Sequence, residues 1–280
     1  IGGILVAMEI DEQLVRMLVA EQFPQWAHLP VTLVPQGWDH RTFRLGDSLS
    51  ARLPSAPGYV PQGEKEQRWL PLLAPRLPVE VPRPVAVGRP GQGYPLPWSV
   101  YGWIEGDVPA VDSVITDPAL ATDVAHFLLA LQSASDDGPP PGAHSALRGA
   151  PPQVYDADVR RCLPLAPGAE AVWDAACRAT SREAPVWFHG DVAAGNLVLR
   201  DGRLAAVLDF GCSGFGDPAC DVAAAWMLFD GAGREAFLAV LRPDPGMLAR
   251  ARGWALWKAL LRLEAGEAEG ARILDAVVTR

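Results

Sequence analysis

The sequence predicts an α+β fold in which a strand-rich first part precedes a mostly helical second part. Three observations carry this. Short β-type runs at residues 31–34, 42–45 and 49–53 follow one another within the first fifth of the chain. From residue 118 onward apolar residues recur mainly at helical spacing. Within that helical part, two apolar runs at 196–199 and 204–208 flank Asp201-Gly202 and read as a β-hairpin.

In chain order, Leu14, Met17, Leu18 and Phe23 set the periodicity of an opening helix over residues 9–26. The three strands follow, and the loop joining the first two, Pro35-Gln36-Gly37-Trp38-Asp39-His40, holds a single glycine. A helix is expected over 62–73. Residues 75–97 are rich in proline, which confines any strand there, near 85–87, to a sheet edge. Residues 97–106 run as a strand into a polar bend. Ala121, Val124, Phe127, Leu128 and Leu131 share one face of a helix over 118–133. Gly and Pro make 135–152 a loop, and helices are expected at 154–162 and 168–182. Past the hairpin, 221–229, 233–241, 245–265 and 266–279 all read as helices, with no internal repeat.

Composition bounds the function classes. At 280 residues, 49% hydrophobic, the chain has ample material for one large or two modest cores. Its mean hydropathy of +0.09 and lack of a long apolar run point to a soluble protein rather than a membrane one. A formal net charge of −9 argues against nucleic acid and is compatible with a cationic ligand. Cys162, Cys177, Cys212 and Cys220 lack metal-ligand spacing and read as free thiols of a reducing cytoplasm. Residues 1–7 are apolar without a basic region or cleavage site, and read as a leader or cloning scar ahead of Met8. Only two lysines occur, Lys65 and Lys258, so arginine supplies nearly all the cationic chemistry.

The chemistry concentrates between Trp187 and Asp221. An apolar run, 184–188, ends at His189-Gly190-Asp191, and Asn196 follows Asp191 by five residues. The second hairpin run exits at Asp209-Phe210-Gly211, followed by Gly216-Asp217-Pro218 and Asp221. Asp191, Asn196 and Asp209 are thus oxygen-bearing groups brought together at strand ends. Hard cations such as Mg²⁺ take such ligands and share them with substrate phosphates.

Asp191-Val192-Ala193-Ala194-Gly195-Asn196 with Asp209-Phe210-Gly211 matches the D-x-x-x-x-N loop and DFG triplet of protein kinases. With His-Gly-Asp at its head, the combination resembles the aminoglycoside phosphotransferase family of small-molecule kinases. The resemblance implies a protein-kinase-like two-lobed fold, with a nucleotide-binding lobe over 8–103 and a catalytic and substrate-binding lobe over 104–280. It implies ATP or GTP as phosphoryl donor, Mg²⁺ as cofactor, and a small hydroxyl compound as acceptor. Asp191 would take the acceptor proton, and Asn196 and Asp209 would hold the metal. The single-glycine loop at 35–40 is a mild departure from the kinase phosphate loop.

Other implied residues carry alternatives. Arg52 stands where the template has a strand lysine, with Glu66 as its helix partner; both could instead be solvated surface charges. Lys65 is a second candidate for the phosphate grip. Trp98, Val100, Tyr101 and Trp103 lie at the implied base-binding hinge, though the two tryptophans serve equally as core packing. His189 and Asp221 are expected to organise the loop, and Asp217 before Pro218 suits a helix cap. The first acceptor expected is a cationic aminoglycoside, with Asp156, Asp158, Glu264 and Glu267 as possible partners and Trp226, Trp254 and Trp257 as possible walls. Macrolide, choline or homoserine kinases are alternatives within the family. Outside it stand a nucleotide-binding pseudokinase and a metal-dependent hydrolase using His189, Asp191 and Asp209.

Overall fold

A computed structural model describes residues 9–35, 39–181 and 184–279 of the 280-residue chain. The expected leader at 1–7, the centre of the 35–40 loop and the end of the helix expected at 168–182 lie outside the described residues. The chain folds as two compact units. One runs to Ala74 and resumes over Val81–Glu105, and the other joins Pro75–Glu80 to the stretch from Gly106 onward.

The first unit is built on an antiparallel sheet of five strands in the order β1-β2-β3-β5-β4. These are β1 (Val31–Leu33), β2 (His40–Leu45), β3 (Leu49–Pro54), β4 (Pro84–Gly88) and β5 (Trp98–Gly102). The proline-led β4 sits at an edge, where its missing N–H breaks no ladder. Helix α1 (Glu12–Gln22) starts at Asp11, whose carboxylate accepts from Leu14 N at 2.8 Å. Leu14, Val15, Leu18 and Val19 of α1 form the core with Phe43, Leu45, Ala51, Leu53, Trp98 and Val100. Strand alternation then turns Arg52, Ser99 and Tyr101 to the opposite face, toward α2 (Val60–Leu73).

In the second unit, α3 (Pro118–Gln132) packs on α8 (Gly231–Leu241), and α9 (Pro245–Glu264) is the central helix. Asp244 caps α9, accepting from Gly246 and Met247 N–H groups, and Pro245 sits at the first helical position. α9 packs against α4 (Asp156–Cys162), α5 (Glu170–Arg178), α6 (Ala219–Val222), α7 (Ala224–Met227) and α10 (Ala268–Val278), and is therefore apolar over much of its circumference. One expected helix, 221–229, is divided into the short α6 and α7.

The hairpin is present as β7 (Leu197–Arg200) and β8 (Arg203–Val207), paired antiparallel. Asp201 and Gly202 both have positive φ, 52° and 74°, the backbone that an Asp-Gly turn supplies. Beside it, β6 (Val186–Phe188) pairs with β9 (Gly214–Gly216), a strand that sequence patterning misses because two of its three residues are glycine.

Candidate active site

In the second unit, β6 delivers His189-Gly190-Asp191 out of a buried strand end. Two backbone donors of this turn are bound by one buried carboxylate. Asp221 Oδ2 accepts from His189 N at 2.8 Å and Oδ1 from Gly190 N at 2.7 Å. Burial raises the Asp221 carboxyl against the lowering effect of His189 and these hydrogen bonds. Gly190 has φ +83°, and a Cβ there would lie 2.4 Å from the Cys212 carbonyl oxygen, so only glycine fits.

His189 is fully buried and bonded at both ring nitrogens. Asp191 N donates to Nδ1 at 3.3 Å, which leaves Nε2 to donate to Leu208 O at 3.0 Å. The imidazole therefore ties the Asp191 turn to the end of the hairpin and is an organiser of the loop.

The open end of the hairpin sets the other two groups. Leu208 N donates to Asn196 O at 2.7 Å, which fixes Asp209, the next residue, beside Asn196. Asn196 Nδ2 donates to Asp191 O at 2.9 Å and faces Asp191 Oδ2 at 3.4 Å. Its carbonyl Oδ1 is presented on the opposite side of the amide. Asp209 is held at φ 57° and ψ 77°, and its Oδ1 accepts from Gly211 N at 3.1 Å. Such left-handed backbone in a non-glycine residue is a strained feature that concentrates at functional sites. A carboxylate and an amide oxygen are the donor set that a hard cation takes.

Asp191 itself is ion-paired. Lys258 Nζ, from α9, lies 2.6 Å from Asp191 Oδ1, with 23% of the lysine side chain and 33% of the aspartate side chain exposed. Burial pushes the Asp191 carboxyl up, but the Lys258 charge and hydrogen bond outweigh it, helped by Arg148 and His189. The group is held well below the usual carboxylate range. Arg148, in the 135–152 loop, is buried, donates from Nε to Gly190 O at 3.1 Å, and lays its guanidinium 4.4 Å from the Trp257 ring centroid. Neither role is legible in the sequence: the scarcity of lysine marks Lys258 only as unusual, and nothing local marks Arg148.

Asp217 accepts from Arg250 Nε at 2.6 Å and NH2 at 3.3 Å, and also caps Ala219 N. Arg250 further donates to Thr180 O at 3.2 Å. Only 3% of the Arg250 and 8% of the Asp217 side chain are exposed, so this pair braces the segment before α6 against α9. Removing one partner of a buried pair strands the other. Arg250→Met is therefore expected to lower unfolding free energy by about 3–5 kcal/mol in urea denaturation.

The residues expected to face a cationic ligand are committed elsewhere. Asp156 pairs with Arg160 at 3.2 Å and accepts from Trp173 Nε1 at 2.8 Å. Asp158 and Glu264 both pair with Arg161, and Glu267 pairs with Arg262 at 3.0 Å. Trp226, Trp254 and Trp257 are all buried, and Tyr155 stacks on Trp257 at 4.1 Å.

In the first unit, Arg52 NH1 donates to Glu66 Oε1 and Oε2 at 3.2 and 3.1 Å, so the two are neither separate nor solvated charges. Tyr101 OH donates to Glu66 Oε2 at 2.6 Å, and burial, then the Glu66 charge, raise the Tyr101 phenol so that it stays a donor. A cavity of about 100 Å³ adjoins this group, lined by Arg52, Gly63, Gln67, Trp98, Ser99 and Tyr101. The Trp98 ring itself packs on Phe23, and Trp98 and Val100 belong to the core against α1. Trp103 lies beneath the Arg44 guanidinium at 4.7 Å. Lys65 is buried on α2.

Residues 30–260 match the model of the phosphotransferase enzyme family known as APH. No curated protein matches the chain. Solved structures match in fold. The GDP complex of wild-type aminoglycoside 2'-phosphotransferase-IIIa superposes with TM-score 0.71 at 17% identity, covering 96% of this chain and 98% of that one. The streptomycin–ATP ternary complex of APH(2″)-IIa gives 0.63 at 18%, covering 95% and 97%. The macrolide 2'-phosphotransferase MphH of Brachybacterium faecium, as apoenzyme, gives 0.63 at 22%, again covering 95% and 97%. At these identities the likeness is one of fold.

Proposed function

The chain belongs to the phosphotransferase enzyme family, and from that premise we propose that it moves the γ-phosphoryl group of ATP or GTP to a hydroxyl of a small molecule. One observation carries the reading. Asp191, Asn196 and Asp209 are locked together through the Asn196–Asp191 hydrogen bond and the Leu208–Asn196 backbone bond. Asp191 holds the acceptor hydroxyl and takes its proton; Lys258 keeps its carboxylate charged and oriented until then. Asn196 Oδ1 and the Asp209 carboxylate fit Mg²⁺, which when bound neutralises phosphate charge. In the first unit, Arg52, steadied by Glu66 and Tyr101, is the proposed grip on the α and β phosphates. Bidentate arginine recognition does there what a lysine point charge does in the kinase template. The bend that follows β5 within the 97–106 segment is the proposed reader of the base, since the backbone of residues 100–102 is taken up by pairing with β3 and β4. Four free cysteines support a cytoplasmic setting, and no described helix is long and apolar enough to cross a membrane.

The acceptor proposed first is an aminoglycoside, on the fold likeness to aminoglycoside phosphotransferases. A second reading, a macrolide-type acceptor with fewer positive charges, is favoured by the pairing of Asp156, Asp158, Glu264 and Glu267 with arginines. Carboxylates already neutralised attract a polycation weakly. A panel of aminoglycosides, macrolides, choline and homoserine, each with Mg²⁺ and ATP or GTP, tests both. The expected result is acceptor-dependent release of nucleoside diphosphate with at least one compound. Nucleotide binding without turnover would favour a pseudokinase, and phosphate release without a phosphorylated acceptor a hydrolase.

Arg52→Ala is expected to raise the nucleotide KM, and Glu66→Ala to act through the same contact. The double variant should then lose less than the sum of the singles, with a coupling of about 0.5–3 kcal/mol. Strictly additive losses would separate Arg52 from Glu66 in function.

A further inference from the structure

Lys258 is one of two lysines in a chain whose other cations are arginine, and α9 sets its ammonium 2.6 Å from Asp191 Oδ1. The loop that carries Asp191 continues as Val192-Ala193-Ala194-Gly195 and offers no cation of its own. Arg148, which also packs against that loop, is buried beneath it with Nε on Gly190 O and its guanidinium on Trp257. Lys258, by contrast, keeps 23% of its side chain exposed.

We propose that Lys258 is a catalytic residue that donates to an oxygen of the transferring phosphoryl group while it remains on Asp191. This rests on the reading above, in which Asp191 holds the acceptor hydroxyl. An ammonium has three N–H donors, and Asp191 Oδ1 takes one of them. A hydroxyl on the same carboxylate sits at about 2.6–3.2 Å, and reacting atoms stand about 3–3.5 Å apart. The phosphoryl oxygens therefore come within reach of the remaining Lys258 donors. Charge spreads over those oxygens as the transition state forms, and a preorganised cation stabilises it there.

A part-exposed ion pair adds little to folding stability, so stability alone gives little reason to pin a long, flexible side chain at this spot. In the transfer, the acceptor oxygen bonds to the γ-phosphorus as the bond from that phosphorus to the β–γ bridging oxygen breaks. The hydroxyl proton goes to Asp191, the electron pair of the broken bond leaves with the nucleoside diphosphate, and Lys258 keeps its proton.

The test compares Lys258→Met and Lys258→Arg with the wild-type protein in two measurements. Calorimetric titration with Mg²⁺ and either the diphosphate or the non-hydrolysable β,γ-imido triphosphate isolates the contribution of the γ-phosphoryl group. Adenine and guanine nucleotides are both used. Steady-state kinetics with the acceptor found in the panel gives kcat and acceptor KM. Lys258→Met should bind diphosphate as wild type does, lose the added affinity for the triphosphate analogue, and lower kcat about 10²-fold. Lys258→Arg should recover part of both.

Wild-type triphosphate preference and kcat in Lys258→Met would overturn the assignment. So would a change confined to acceptor KM, which would make Lys258 an acceptor contact. A fall in kcat with the triphosphate preference intact would reduce Lys258 to a positioning residue for Asp191. A wild-type protein that binds no nucleotide would instead sink the phosphotransferase reading, and this inference with it.

Discussion

Asp191→Asn is expected to lower kcat by about 10² to 10⁴-fold, the range a positioned general base contributes, while Mg²⁺–nucleotide affinity stays near wild type. The amide keeps the size of the carboxylate and can still hold a hydroxyl, but it accepts no proton and carries no charge. It also leaves Lys258 without its anion, 2.6 Å away in the wild-type chain. The His189 turn survives, because its donors rest on Asp221 and its ring on Leu208 O and Asp191 N, none of which the substitution removes. Nucleotide affinity survives because the proposed metal ligands are Asn196 and Asp209. Steady-state kinetics and nucleotide titration on the same preparation check both halves. A near-normal kcat would mean that the acceptor proton leaves by another route. Lost nucleotide affinity would make Asp191 a metal ligand and revive the hydrolase reading.

Asp209→Asn is expected to abolish the proposed Mg²⁺-dependent turnover or reduce it by at least about 10²-fold, since a bound metal would supply several kcal/mol of charge stabilisation at the transition state. Asparagine is the informative replacement. Residue 209 sits at φ 57°, a backbone that asparagine adopts at lower cost than alanine. Asp209→Ala should lose the same turnover and, in addition, some stability. A thermal melt of Asp209→Asn near that of the wild type, together with lost turnover, separates metal binding from folding. Wild-type turnover in Asp209→Asn would end the metal assignment.

The catalytic stretch is legible in sequence because its geometry is local. His189 to Asn196 spans one loop, and Asp201-Gly202 dictates the hairpin that returns the chain to Asp209. Arg52 and Glu66, fourteen residues apart, are readable only with a template, since nothing local pairs a strand arginine with a helix glutamate. Lys258 and Arg148 escape because they reach the loop across 67 and 42 residues, and only the packing of α9 and of the 135–152 loop brings them there. The carboxylates divide the same way. Asp156–Arg160 is a helical i,i+4 pair visible in the sequence, whereas Arg161–Glu264 closes across 103 residues. Strand β9 is hidden by glycine, whose weak strand preference gives way to pairing with β6.

The most direct measurement follows labelled γ-phosphorus from nucleotide to product, using wild-type protein and Asp191→Asn side by side with the best acceptor of the panel. The account predicts that wild-type protein places the label on a hydroxyl oxygen of the acceptor, with one nucleoside diphosphate released per phosphorylated acceptor. Asp191→Asn should make the same product about 10² to 10⁴-fold more slowly. Label recovered only as inorganic phosphate, or transferred at equal rates by both proteins, would contradict it.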